Sequence, residues 1–288
     1  MLENILVTGS KGQLGSEFKK IGDYNKSFKF FFEDLELDIS NKKLLEEYIK
    51  ANKINIIINT AAYTDVNKAE IEKEKANLIN CLAVKNLVEL SEKFNCKLIH
   101  FSTDYVYNGK DFNPIKENIS ICPINYYGRT KRNGELFIEN SHSESIIIRT
   151  SWLYSFYGNN FVNTIIEKSK KEKTINVVSD QYGCPTYARD LALTTIHILD
   201  SKLKLDYNGK IYNYSNLGST NWSSFAKEIV KILNLDCEIR DCSSSLLKTN
   251  LRRPKFAITS KNKIISNFKI NIPVWKKSLK NYLNNYYL

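Results

Sequence analysis

Five short apolar segments, each separated from the next by a longer amphipathic stretch, constrain this chain more than any other feature. They run Asn4 to Thr8, Lys29 to Phe32, Asn55 to Thr60, Lys97 to Phe101 and Ser145 to Arg149. Each is β-branched or aromatic and continuous in apolar character, the pattern of strands buried on both faces of a parallel sheet. Between them, residues recur at helical spacing. Ser40 is expected to cap a helix with Leu44, Leu45, Tyr48 and Ile49 on one face, and a second helix spans Asn80 to Phe94 with Val84, Leu87, Val88 and Phe94 aligned. Repeated strand–helix–strand units predict an α/β protein with a doubly wound parallel sheet.

After Trp152 the pattern loosens. A loop (Tyr154 to Asn160), a helix (Phe161 to Lys170), a strand (Ile175 to Ser179), a turn-like segment (Asp180 to Pro185) and a helix (Arg189 to Leu199) are expected. A strand over Lys210 to Tyr214, a helix over Trp222 to Leu233 and a C-terminal helix ending in Asn281 to Leu288 follow. The expected division is a dinucleotide-binding domain over 1–152, rejoined by about 175–205, with 153–288 mainly a smaller α/β substrate-binding domain.

Composition narrows the class. Hydrophobic residues make up 42% of the 288 and charged residues 25%, values of a globular chain and not of a disordered one. No apolar run is long enough to span a bilayer and Met1 leads directly into a strand, so a cytoplasmic protein without a leader is expected. Cys81, Cys96, Cys122, Cys184, Cys237 and Cys242 are scattered without metal-ligand spacing, which predicts reduced, mostly buried thiols and no metal. The net charge is +11, but the lysines are spread along the chain and no nucleic-acid motif accompanies them. The charge therefore points to no nucleic-acid partner, and to steering of an anionic small molecule. His100, His142 and His197 stand apart from any nucleophile and read as structural.

Three clusters carry chemistry. Gly9, Lys11, Gly12, Gln13, Leu14 and Gly15 lie in a loop between the first strand and first helix, where glycines let a pyrophosphate approach main-chain amides at a helix N-terminus. Glu33 and Asp34 close the next strand, where an acid meets an adenosine ribose and disfavours a 2′-phosphate; this tilts the expectation toward NADH over NADPH. Thr103 and Asp104 stand at the carboxyl end of the fourth strand, and Tyr127 and Lys131 are four apart, on one face of a helix. A phenol titrates near 10, too high for proton transfer at neutral pH, and a neighbouring ammonium is expected to lower it.

With these residues in this order, the sequence resembles the extended short-chain dehydrogenase/reductases, a Rossmann-type superfamily, and within them the dTDP-4-dehydrorhamnose reductases. The likeness runs through Gly12 to Gly15, Leu37 to Ile39, Asn59 to Thr64 with Lys68 to Glu70, Ser102 to Val106, Tyr127 to Lys131 and Arg149 to Trp152. It continues through Asp180 to Gly183, Pro185-Thr186, Asp190 to Ala192, Arg253-Pro254 and Trp275. The resemblance implies Thr103, Tyr127 and Lys131 as the catalytic set, with Asp38, Ile39, Ala61, Ala62 and Tyr63 lining an NADPH or NADH site. It implies Asp104, Tyr105, Trp152, Asn163, Gln181 and Arg253 for a dTDP-4-keto-6-deoxy sugar, in a monomer or homodimer. Tyr107, Arg129 and Cys184 depart from the family pattern. The alternatives are another nucleotide-sugar 4-ketoreductase or epimerase of the same fold, or a non-catalytic NADP-binding regulatory subunit. A dehydratase would carry an acid where Tyr105 stands.

Overall fold

The computed structural model describes residues 2–110, 113–201, 211–246 and 251–288. In chain order its elements begin with β1 (Glu3–Thr8), α1 (Gln13–Gly22), β2 (Phe28–Glu33), α2 (Lys42–Ala51) and β3 (Ile56–Asn59). Next come α3 (Val66–Ala69), α4 (Lys73–Asn77), a π-turn over Leu78–Leu82, α5 (Ala83–Phe94), β4 (Lys97–Thr103), α6 (Tyr126–Glu139) and β5 (Ser145–Thr150). The second part holds β6 (Leu153–Tyr154), α7 (Phe161–Ser169), β7 (Thr174–Val178), β8 (Tyr182–Gly183), β9 (Thr186–Tyr187), α8 (Ala188–Asp200) and β10 (Ile211–Tyr214). It ends with β11 (Thr220–Asn221), α9 (Trp222–Ile232), β12 (Glu238–Cys242), β13 (Phe256–Ala257), α10 (Asn262–Phe268) and α11 (Trp275–Tyr286).

Six strands form one parallel sheet in the order β2-β1-β3-β4-β5-β10. The order reverses at β1, so a crevice opens between the carboxyl ends of β1 and β3, the place where doubly wound sheets bind ligands. Side chains alternate strictly across it despite the continuous apolar runs. Ile5, Val7, Ile56, Ile58, Ile99 and Phe101 pack on one face beneath α1, α8 and α10; Leu6, Ile57, Leu98 and Ile147 pack on the other beneath α2, α5 and α6.

The smaller layer has its own core, built from Tyr154, Ile165, Ile175, Phe225, Ile239, Trp275, Leu279 and Tyr282. There β7 pairs with β12 and not with the central sheet, while the chain returns to that sheet through β10. Lys210, the first residue expected in that strand, lies outside the described residues.

Several local expectations need correction. Asn41, not Ser40, caps α2, its side chain accepting the Leu44 amide at 3.1 Å, and Leu44 is left largely exposed. The helix expected from Asn80 begins as the π-turn at Leu78. The segment expected as a turn at 180–185 contains β8, which pairs with both β11 and β13. Of the cysteines, Cys81, Cys96 and Cys184 are buried, Cys122 is exposed, and Cys237 and Cys242 are intermediate. Among the described residues no helix is long and apolar enough to cross a membrane.

Candidate active site

The crevice wall starts at Gly9, which leaves β1 with φ +67°. A Cβ there would lie 2.6 Å from the main chain of Ala61, so only glycine lets the loops after β1 and β3 meet. Gly12 is the N-cap of α1 and supplies no side-chain cap, which leaves the amides of the first turn, Gln13 to Gly15, facing the crevice. Leu14 is buried in the core and offers that crevice only its main chain. The arrangement fits the pyrophosphate of a dinucleotide. Gln13 accepts a hydrogen bond from Asn160 Nδ2 at 3.1 Å.

A cleft of about 730 Å3 continues outward past Ser10, Lys11, Glu33 and Asp34. Asp34 braces the loop by accepting the Lys11 amide at 2.8 Å, whereas Glu33 accepts the Tyr48 hydroxyl at 2.6 Å. The Lys11 ammonium pairs with Glu36. Asp38 accepts the Ser40 amide and Ile39 is buried under the sheet. Ala61 and Ala62 follow β3 at the crevice; Tyr63 is fixed by Asn80, whose amide group bonds both its N–H and its carbonyl.

The reacting corner lies at the end of β4. Thr103 accepts the Tyr105 amide at 3.2 Å and donates to Asp104 Oδ1 at 3.1 Å, tightening the turn that follows. Asn125 caps α6 by accepting the Gly128 amide. A Cβ on Gly128 would stand 2.3 Å from the Tyr105 carbonyl oxygen; its absence lets the first turn of α6 lie on the turn after β4. Tyr127 is thereby brought beside Thr103, close enough for the hydroxyl to oppose the rise of its pKa, with the Tyr105 ring edge-on at 5.7 Å. One helical turn on, Lys131 donates to the Phe101 carbonyl at 2.6 Å and lies 3.2 Å from His100 Nε2.

Burial sets the protonation of this corner. It raises the Tyr127 phenol above its ordinary value, with Thr103 opposing and Asp104 and Tyr105 adding to the rise. It also pushes Asp104 up to about 7 against the pull of Thr103, and pushes Lys131 down to about 8 against Glu135. Among the groups of this chain desolvation is the largest influence on Tyr127, and the phenol rests protonated, as a proton donor must.

Arg253 reaches the same corner, donating to Asn67 at 3.3 Å and lying near enough to Tyr105 to pull its phenol pKa down against burial. Gln181, Arg252, Arg253 and Lys255 line an adjoining cleft of about 510 Å3. Trp152, in a left-handed conformation (φ 45°), stacks on Trp222 at 3.4 Å and presses on Gly183. Asn163 spends its amide on the carbonyls of Ser155, Phe156 and Gly158 and accepts the hydroxyls of Tyr282 and Tyr287. Thr103, Asp104, Tyr105, Tyr127, Lys131 and Arg253 thus meet, while Trp152 and Asn163 are engaged in the smaller layer. Cys184 is fully buried, 3.5 Å from Lys261 Nζ. Sequence reasoning missed Asn59, Asn80, Gly128 and His100; the available signal was a polar residue inside an otherwise apolar strand, at Asn59 and His100.

The family model described as the RmlD substrate binding domain matches residues 3–288. A dTDP-4-dehydrorhamnose reductase of Aggregatibacter actinomycetemcomitans is 35% identical, over 97% of this chain and 98% of the relative. A crystal structure of dTDP-4-dehydrorhamnose reductase from Bacillus anthracis in complex with NADP superimposes with a TM-score of 0.93 at 34% identity, covering 99% and 100% of the two chains. An orthologue structure from Clostridium acetobutylicum gives TM-score 0.93 at 32% identity, covering 99% and 100%.

Proposed function

The chain belongs to the RmlD substrate-binding family, and from that membership we propose that it is an NAD(P)H-dependent oxidoreductase reducing dTDP-4-dehydro-β-L-rhamnose at C4 to dTDP-L-rhamnose. The observation that carries this reading is the meeting of Thr103, Tyr127 and Lys131 at the carboxyl end of β4, beside the glycine-lined crevice. A reduced nicotinamide supplies the hydride. The residues of this chain do the rest. The open N-terminus of α1 holds the pyrophosphate, and Thr103 hydrogen-bonds the substrate carbonyl oxygen. Tyr127, held protonated by burial, gives its proton to the oxygen as negative charge develops there. Lys131 places a positive charge below the phenol and lowers the cost of the phenolate left behind.

The nucleotide half of the substrate suits the cleft of Arg252, Arg253, Lys255 and Gln181, whose cations match a diphosphate. Arg253 also acts electrostatically on the Tyr105 phenol, so substrate phosphate and the packing of Tyr105 on Tyr127 are linked. Asn163 acts instead on the cofactor cleft, through the 155–158 loop that it pins and whose Tyr157 lines that cleft. Both NADH and NADPH are proposed as donors, because Glu33 and Asp34 are already engaged by Tyr48 and the Lys11 amide.

The test is loss of reduced-nicotinamide absorbance when the purified protein meets enzymatically generated dTDP-4-dehydrorhamnose, with NADH and NADPH assayed separately. Oxidation yielding dTDP-rhamnose, and lost in Tyr127→Phe, is expected. Near-normal turnover in Tyr127→Phe would refute the proton-donor role. Silence with both cofactors, in protein that binds them, points to another keto sugar nucleotide or to a binding subunit.

A further inference from the structure

One row of the sheet breaks the apolar pattern. Thr8, Asn59 and His100 are direct neighbours across β1, β3 and β4, on the face that carries α6. All are buried, as is Lys131 above them. Their side chains form a chain: Thr8 Oγ1 donates to Asn59 Oδ1 at 2.7 Å, Asn59 Nδ2 lies 2.9 Å from His100 Nδ1, and His100 Nε2 lies 3.2 Å from Lys131 Nζ. No other residue joins the imidazole, so each ring nitrogen has one partner among the described residues.

We propose that His100 is a positioning residue for Lys131: a neutral imidazole carrying its proton on Nδ1, whose Nε2 lone pair accepts from the lysine ammonium and keeps it charged and aimed. This deepens the reading of Lys131 as part of the reacting set and rests on it.

The hydrogen-bond requirements of the chain lead there. An ammonium has donors only, so a charged Lys131 can face Nε2 only if Nε2 is unprotonated. The ring proton is then on Nδ1 and needs an acceptor. Asn59 provides it once its amide is turned end for end from the orientation in the structure, so that Oδ1 accepts from His100 Nδ1 and Nδ2 donates to Thr8 Oγ1; the two ends of an amide have the same shape and the network chooses between them. The opposite orientation, with Asn59 Nδ2 toward Nδ1, forces the proton onto Nε2 and requires a neutral amine at Lys131. Amide orientation, tautomer and lysine charge are therefore one coupled choice. A second proton on His100 is opposed by complete burial and by the Lys131 charge. The groups that act on Lys131 are His100 from β4, Glu135 on its own helix and, through Glu135, Arg149 from β5; Asp104 and Tyr105 act on Tyr127 instead.

The test has two arms on the full-length protein. With 15N-labelled histidine, only three residues report, and His100 is assigned by its loss in His100→Gln. A pyrrole-like Nδ1 and pyridine-like Nε2 at pH 7.5 are expected; protonation on Nε2 overturns the proposal whatever the activity. In turnover, His100→Leu removes one charge-assisted hydrogen bond, about tenfold in the proton affinity of Lys131. With Lys131 at about 8 in the wild type, kcat should fall about threefold at pH 7.5, more steeply above pH 8, and approach wild type at pH 6, where the ammonium is restored. His100→Gln, whose Oε1 reaches the same place as Nε2, should recover most of the loss. A deficit in the Leu variant that is equal at all pH values marks a packing role and overturns the proposal. Should the protein prove not to be a reductase, the tautomer measurement still decides what His100 does to Lys131.

Discussion

Two clusters of buried polar groups hang on the inner face of α6, and the protein treats them in opposite ways. Around Glu135 every charge is answered. Arg149 forks onto its carboxylate at 2.7 and 2.6 Å, Arg132 adds a third contact at 3.0 Å, and Tyr107 joins Arg149 to Asn213. Burial alone would raise Glu135, yet the Arg149 fork holds it below the usual carboxylate value. Around Tyr127, about two helical turns away, the groups are as deeply buried but thinly paired, and Asp104 Oδ2 has no partner among the described residues. There burial prevails, and Asp104, Tyr127 and Lys131 are all driven toward their neutral forms. The same burial thus fixes charge where partners are supplied and leaves it free to change where they are withheld. The second condition is what a proton-transfer site needs.

That contrast can be tested by removing one group at a time. The largest effect is expected at Tyr127: Tyr127→Phe should cost about a thousandfold in kcat, with cofactor affinity, read by fluorescence titration, nearly unchanged. On the paired side, Glu135→Leu strands the Arg149 charge and should cost about 3–5 kcal/mol in urea unfolding. Adding Arg149→Met to it should recover most of that loss, since replacing a buried pair together is far cheaper than breaking it. If the single and double variants melt alike, the pair is not what holds this cluster.

A smaller effect comes from Asp104. Its folded pKa, about 7, lies above the unfolded value, so its contribution is complete below pH 4 and is lost as pH rises through 7. Up to about 4 kcal/mol of wild-type stability should disappear across that window. Asp104→Asn should remove this slope, and parallel pH–stability curves for the two proteins would show that Asp104 is solvated. Smallest of all, Tyr107→Phe removes one hydroxyl from Arg149 and Asn213. It should lower stability by about 1–2 kcal/mol and leave kcat unaltered; a change in kcat would show that the two clusters communicate.

Much of this was legible because it is local. Each central strand announces itself as a run of β-branched or aromatic residues, the glycine loop follows directly on β1, and Tyr127 and Lys131 share a face through helical spacing alone. What the tertiary structure decided depends on residues distant in sequence. The β8 segment looks like a turn because two residues hold too little pattern, and it becomes a strand only through partners near 220 and 256. Asn163 looks available for a ligand until the 155–158 loop and the C-terminal tyrosines claim its amide. His100 reads as an isolated histidine until Asn59 and Lys131 arrive from other elements to fix its proton. The rise at Tyr127 has the same tertiary origin. Spacing shows which charge stands near, but desolvation is set by everything packed around a group, and only the folded chain supplies that.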